Sequence, residues 1–415
     1  MNKIIISVLI GTLVFFTGCE DLHQPTNEAV IGGEVVVDLD GANIKNSLLS
    51  AGTAGVDENT TVYGYKAYKI PYTTTDESGK SISVSGLMVV PTGLPDVVKA
   101  LGLSMVSDGH GTIFEEADAP TTSAQTDNAP EGSGIILTSL FAFVTLQADY
   151  IGFGDSSGSI HPFMLKKSLA NASVDFIKAV QVFAVNNEIG LNGQLFVTGY
   201  SEGGYSAMAT LQKIEEEGEF QVTLAAPMAG PYALEALSMS VLSSENIEVP
   251  SFLANIGYAY ASVYKQVLNT VINEPYASNL GDLLNGYYSR EEIDAELTTV
   301  TSGENGLFPL TFVQAFFADS NHWFKKAMQE NNVHHWTPQT SVRLVHCQGD
   351  DIIPYAISEL TQSTMSLIGA RDVSLVPVEA VLGLSEPVGH IECASMAYAV
   401  TGNMFAQARA LTIGY

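Results

Sequence analysis

The sequence predicts an α/β protein: a mainly parallel sheet with helices on both faces, interrupted by an inserted helical cap. Three observations carry this expectation. From about residue 100 to 226, short apolar runs such as Gln194-Leu195-Phe196-Val197-Thr198 alternate with longer stretches of helical periodicity, the pattern of buried strands covered by helices. From Tyr232 to Pro338 the alternation stops and the chain reads as helix after helix. Strand chemistry resumes at Ser341, so the core is interrupted rather than ended.

At 415 residues, 46% of them hydrophobic, the chain can bury one large core or two modest ones. Its 45 acidic against 17 basic residues give a net charge of −28, a surface that repels phosphate backbones and excludes nucleic acid as a partner. Met1-Asn2-Lys3 precedes an apolar run from Ile4 to Phe16, too short to span a bilayer, and residues 1–18 read as a secretory signal. Phe16-Thr17-Gly18-Cys19 resembles a bacterial lipobox. That resemblance implies cleavage before Cys19, acylation of Cys19, and a cell-envelope protein that touches the membrane only through its lipid anchor, on the periplasmic face or the cell surface.

Residues 19–58 carry Pro, Asn, Gly, Asp and Glu with little periodicity and read as a tether and irregular lead-in. The first part of the core, 59–231, opens with β-rich runs Thr61–Thr74 and Ser81–Val90, joined by the turn residues 75–80 into an antiparallel hairpin. Strands follow at Ala100–Val106 and Phe141–Gln147, then a helix over Lys166–Asn187 with Leu169, Phe176, Ile177, Val180 and Phe183 on one face. Two more strands are expected at Gln194–Thr198 and Gln221–Ala226. The cap, 232–338, contains helical stretches Ile256–Asn273, Arg290–Val300 and Phe308–Phe317 and is rich in aromatic rings, most of which suit the cap's own core. The second part, 339–415, supplies strand Ser341–His346, helix Ala356–Ile368, strand Val373–Val378 and helix Ile391–Ala410.

Chemistry concentrates at Gly199-Tyr200-Ser201-Glu202-Gly203, where a strand runs straight into a helix. A serine at such a turn is pushed out of the sheet edge, and the helix N-terminus aims free N–H groups at the place where an oxyanion would form. A serine hydroxyl is a poor nucleophile at neutral pH, so it needs a base and a carboxylate to orient that base. In His346-Cys347-Gln348-Gly349-Asp350-Asp351-Ile352-Ile353-Pro354, a loop after a strand can present the acid; the segment resembles the one that carries the acid in many α/β-hydrolases, which implies Asp350 at the acid position, with Asp351 as its competitor. His390 follows the last strand and opens the last helix, the place for the base. His322, His334 and His335 fall inside the cap, and His346 comes before the acid. Asp108-Gly109-His110-Gly111-Thr112 resembles the H-G-x loop of lipases and esterases, which implies the backbone N–H groups of Thr112 and Glu202 as the oxyanion donors and makes His110 positional, a general base at His110 being the alternative. Such a site requires no metal and no organic cofactor. With Cys19 lipidated, Cys347 and Cys393 remain, three residues before Asp350 and three after His390; they are either bonded to each other or buried as two reduced thiols.

Asp149-Tyr150-Ile151-Gly152-Phe153-Gly154-Asp155, His161-Pro162-Phe163, Gly199 to Gly204 and Ala229-Gly230-Pro231-Tyr232 together resemble the secretory lipase family of lipase A type, over about residues 60–415. The resemblance implies the α/β-hydrolase fold with a cap and a serine esterase or lipase acting on small-molecule or lipid esters. A serine peptidase of the prolyl-peptidase type shares the order serine, acid, histidine, but residues 20–60 are too few for its usual propeller or β domain. A catalytically silent surface-binding lipoprotein is disfavoured by the intact Ser201, Asp350 and His390.

Overall fold

The computed structural model describes residues 32–50, 56–125 and 135–413. The expected signal segment and Cys19 lie outside the described residues. Nine strands form one sheet: β1 Glu34–Leu39, β2 Gly64–Thr75, β3 Ser81–Thr92, β4 Leu103–Gly109, β5 Val144–Ala148, β6 Leu191–Tyr200, β7 Val222–Met228, β8 Val342–His346 and β9 Val373–Pro377. Their spatial order is β1-β2-β3-β5-β4-β6-β7-β8-β9. The pairs β1/β2, β2/β3 and β3/β5 are antiparallel, and every later pair is parallel. The opening hairpin is as the sequence predicts, with Gly64 to Thr75 paired in continuous register against Thr92 to Ser81.

One expectation fails at the N-terminal side. Residues 34–50, read as irregular lead-in, form β1 and the helix Gly41–Ser50, because Val37 and Leu39 lie along β2 while Ile44 and Leu48 are buried in a satellite core with Tyr65, Leu87 and Val89. Six residues of strand are too few to show a period against a polar background. A second difference is at 96–109, where Asp96–Leu101 is a short helix and the strand begins only after Gly102.

β4 and β5 are buried along their whole length, β6 and β7 over their C-terminal parts, and β9 at the edge is only partly buried; Lys166–Asn186 and Glu202–Glu217 pack together on one face while His390–Ile413 covers the other. Between β7 and β8 the chain leaves the sheet and makes six helices, Leu234–Ser243, Pro250–Val263, Tyr276–Leu283, Arg290–Ala295, Leu310–Ala318 and Trp323–Glu330. The expected helix Ile256–Asn273 ends at Val263, since Lys265 takes a left-handed backbone (φ 54°) that no helix continues through. Tyr260, Tyr264, Phe312, Phe316, Trp323 and Phe324 stack among themselves as the cap's own core, and Tyr260 also donates a 2.8 Å hydrogen bond to the Met164 carbonyl of the main body. Cap and body therefore share one continuous apolar core.

Candidate active site

β6 delivers Ser201 at its end, and the helix Glu202–Glu217 begins with the next residue. Ser201 has φ 59° and ψ −119°, a conformation few non-glycine residues adopt, and its N–H is held by the Met228 carbonyl at 3.0 Å. The turn is this tight because Gly203 lies directly on the Gly109 carbonyl, where any Cβ would collide with backbone.

His390 starts its helix opposite that turn. Its Nε2 is 2.9 Å from Ser201 Oγ and its Nδ1 is 2.6 Å from Asp350 Oδ2. Nδ1 faces a carboxylate and so carries hydrogen, which leaves the Nε2 lone pair to accept the serine proton. Tyr200 donates to the His390 carbonyl at 2.6 Å, fixing the first turn. The structure thus brings Ser201, His390 and Asp350 together, and gives Asp351 a separate place: its Oδ1 accepts from the His390 backbone N–H at 2.9 Å.

Asp350 is fully occupied. Its Oδ1 accepts from the N–H groups of Ile352 and Ile353, at 3.0 and 2.7 Å, and its Oδ2 accepts from His346 Nε2 at 3.0 Å as well as from His390. Burial alone would raise its pKa, but the hydrogen bonds and charges of His346 and His390 outweigh burial and hold the carboxyl well below the usual range. His346 is a functional neighbour that the sequence reading passed over. It is completely buried, with Nδ1 2.8 Å from Ser358 Oγ, and the available signal was its place four residues before Asp350 at the end of a strand.

The loop after β4 brings Thr112 to the wall of the cavity above Ser201. Among the described residues neither the Thr112 nor the Glu202 N–H meets a protein acceptor, as a pair of donors for a transient oxyanion requires. His110 does not reach Ser201. Its Nδ1 is 2.8 Å from the Gly111 carbonyl, its Nε2 3.3 Å from the Asp149 carbonyl, and its ring stacks 4.2 Å from Tyr150, so it shapes the loop that carries Thr112. The cavity itself is about 280 Å³ and is walled mainly by aliphatic cap residues, including Leu234, Leu237, Val241, Leu253 and Ile256, with Phe163 and Phe252. Cys347, just after β8, and Cys393, in the first turn of the last helix, are bonded to each other, so the loops bearing Asp350 and His390 are covalently joined beside the site.

Among solved structures, a Legionella pneumophila protein classed provisionally as a hydrolase superposes with a TM-score of 0.80 at 22% identity, covering 92% of this chain and 98% of its own. The rice cell wall degrading esterase LipA from Xanthomonas oryzae gives 0.76 at 21% identity, over 94% and 98% of the two chains. This is the α/β-hydrolase fold. Candida antarctica lipase A shares it at greater distance, with a TM-score of 0.60, 13% identity and coverage of 88% and 78%. No family model matches the sequence, and no curated protein is recognisably similar to it. In an α/β-hydrolase sheet the ends of the parallel strands form the upper rim, and here β6 and β8 run directly into Ser201 and the Asp350 loop on that rim.

Proposed function

We propose that the protein is a serine hydrolase that cleaves carboxylic esters through an acyl-enzyme on Ser201. The observation that carries this is the unbroken hydrogen-bond chain Ser201 Oγ, His390, Asp350 at the mouth of an apolar cavity. Ser201 Oγ attacks the ester carbonyl while His390 Nε2 takes its proton, and the resulting imidazolium is held by ionised Asp350. The carbonyl oxygen becomes the oxyanion and is bound by the N–H groups of Thr112 and Glu202. On collapse, His390 returns the proton to the departing alcohol; water then repeats the sequence on the acyl-enzyme and releases the acid. The helical cap acts as the lid and as the pocket for the acyl or the alcohol part of the ester. Delivery to the cell envelope through acylated Cys19 completes the reading.

The test is labelling with a fluorophosphonate probe, joined to assays on p-nitrophenyl esters and on aminoacyl anilides. Wild type should label at Ser201 and cleave esters, and folded Ser201→Ala should do neither. Anilide turnover exceeding ester turnover would move the protein to the peptidases, and an unlabelled wild type would make it a binding protein.

A further inference from the structure

The side chain of Glu202 stands in an unusual position for an acid. It follows Ser201 directly, its own N–H is one of the two oxyanion donors proposed above, and the residue is only 1% exposed. Its Oε1 lies 2.8 Å from His161 Nε2, while its Oε2 has no partner among the described residues. Among the described residues, His161 is the side chain that hydrogen-bonds this carboxylate.

We propose that His161 is a positioning residue that leaves the His161–Glu202 pair without net charge and so protects the oxyanion site; the inference rests on the serine-hydrolase reading. His161 Nδ1 is 2.8 Å from the Ile151 carbonyl and must carry hydrogen to bond it. A second proton lies in the contact between Nε2 and Oε1. Whether an imidazolium donates to a carboxylate or a carboxylic acid donates to a neutral ring, the pair has no net charge. The surroundings are built around this ring: Tyr150, Phe153 and Phe163 have centroids 6.1, 5.1 and 6.0 Å from it, and Gly152 (φ +102°) leaves the space where a Cβ would come within 2.8 Å of His161. The other nearby histidine, His110, has both ring nitrogens against carbonyls.

An ester is neutral, and full negative charge appears at the Glu202 N–H only in the tetrahedral intermediate. A bare carboxylate on the same residue would repel that intermediate and leave the bound substrate almost untouched. Loss of His161 should thus fall on kcat, by on the order of tenfold to a hundredfold at effective protein dielectrics, with little change in KM.

The experiment compares wild type, His161→Gln and the double variant His161→Gln/Glu202→Gln on a p-nitrophenyl ester, with folded sites counted by fluorophosphonate labelling carried to completion. The single variant is expected to lose kcat at near-constant KM, and removal of the carboxylate in the double variant is expected to recover most of it. His161→Asn and its Glu202→Gln double provide the same comparison if His161→Gln does not fold. A double variant as slow as the single one, or a loss confined to KM, overturns the inference. A wild type that neither labels nor cleaves esters fails the hydrolase reading itself, whereas an active wild type with an unrescued single variant fails only the role of His161.

Discussion

Asp350 accepts hydrogen bonds from two imidazoles and two backbone N–H groups, whereas Asp351 touches His390 only through the latter's backbone. Asp350→Asn should therefore lose about a thousandfold or more in kcat, since an amide cannot hold His390 in the tautomer the serine needs. Asp351→Asn keeps a carbonyl oxygen for the His390 N–H and should lose less than about tenfold; equal losses in two folded variants would count against the assignment. Asp149 permits a different forecast. Burial pushes its pKa up to about 6, against hydrogen bonds from Ser85 and Thr121 that favour the charged form. A raised acid pKa means the native state binds the proton more tightly than the unfolded chain does. The stabilisation is present in full below about pH 4 and is lost as pH rises through about 6, an amplitude of about 3 kcal/mol. Denaturant unfolding of wild type and Asp149→Asn at pH 7 and pH 4 should show wild type gaining on the variant at the lower pH, and a pH-independent difference would disprove it. Ser201 and His390 could be read from sequence because a motif and an element boundary mark them. His161 and the Glu202 carboxylate could not, because their relation is one contact across 41 residues with no periodicity to announce it.

At the scale of elements, the cap supplies the cavity wall with aliphatic side chains and Phe252, and packs Tyr260, Tyr264, Phe312 and Phe324 in its own interior. That cavity is about 280 Å³. Leu237→Trp and Ile256→Trp fill part of that space and should move the kcat/KM optimum across a p-nitrophenyl ester series toward shorter acyl chains by about two carbons. An unchanged profile in both would make the cap structural only. The long helix Lys166–Asn186 was legible because Leu169, Phe176, Ile177, Val180 and Phe183 recur at helical spacing and are all buried. β1 and the end of the helix at Val263 were not, since one depends on pairing with a distant strand and the other on a single left-handed residue.

At the scale of the whole molecule, the antiparallel opening, the parallel remainder and the point where the cap enters were all visible in the order of apolar runs. The spatial order of the strands was not, because β5 lies between β3 and β4 through contacts that no local pattern encodes. Anchoring belongs to this scale too. Metabolic labelling with a fatty-acid probe should mark the wild-type protein in its native host and not Cys19→Ala, and label retained by the variant would refute the lipid anchor. The Cys347–Cys393 bond closes a span of 46 residues, worth about 4 kcal/mol in chain entropy, and it does so between the loop that carries Asp350 and the helix that carries His390. The compartment in which the chain matures thereby bears on the geometry of the Asp350–His390 pair. Protein produced in a reducing cytosol would keep the same sheet yet hold the Asp350 loop and the His390 helix together by hydrogen bonds alone, and its turnover is expected to climb as oxidant is supplied.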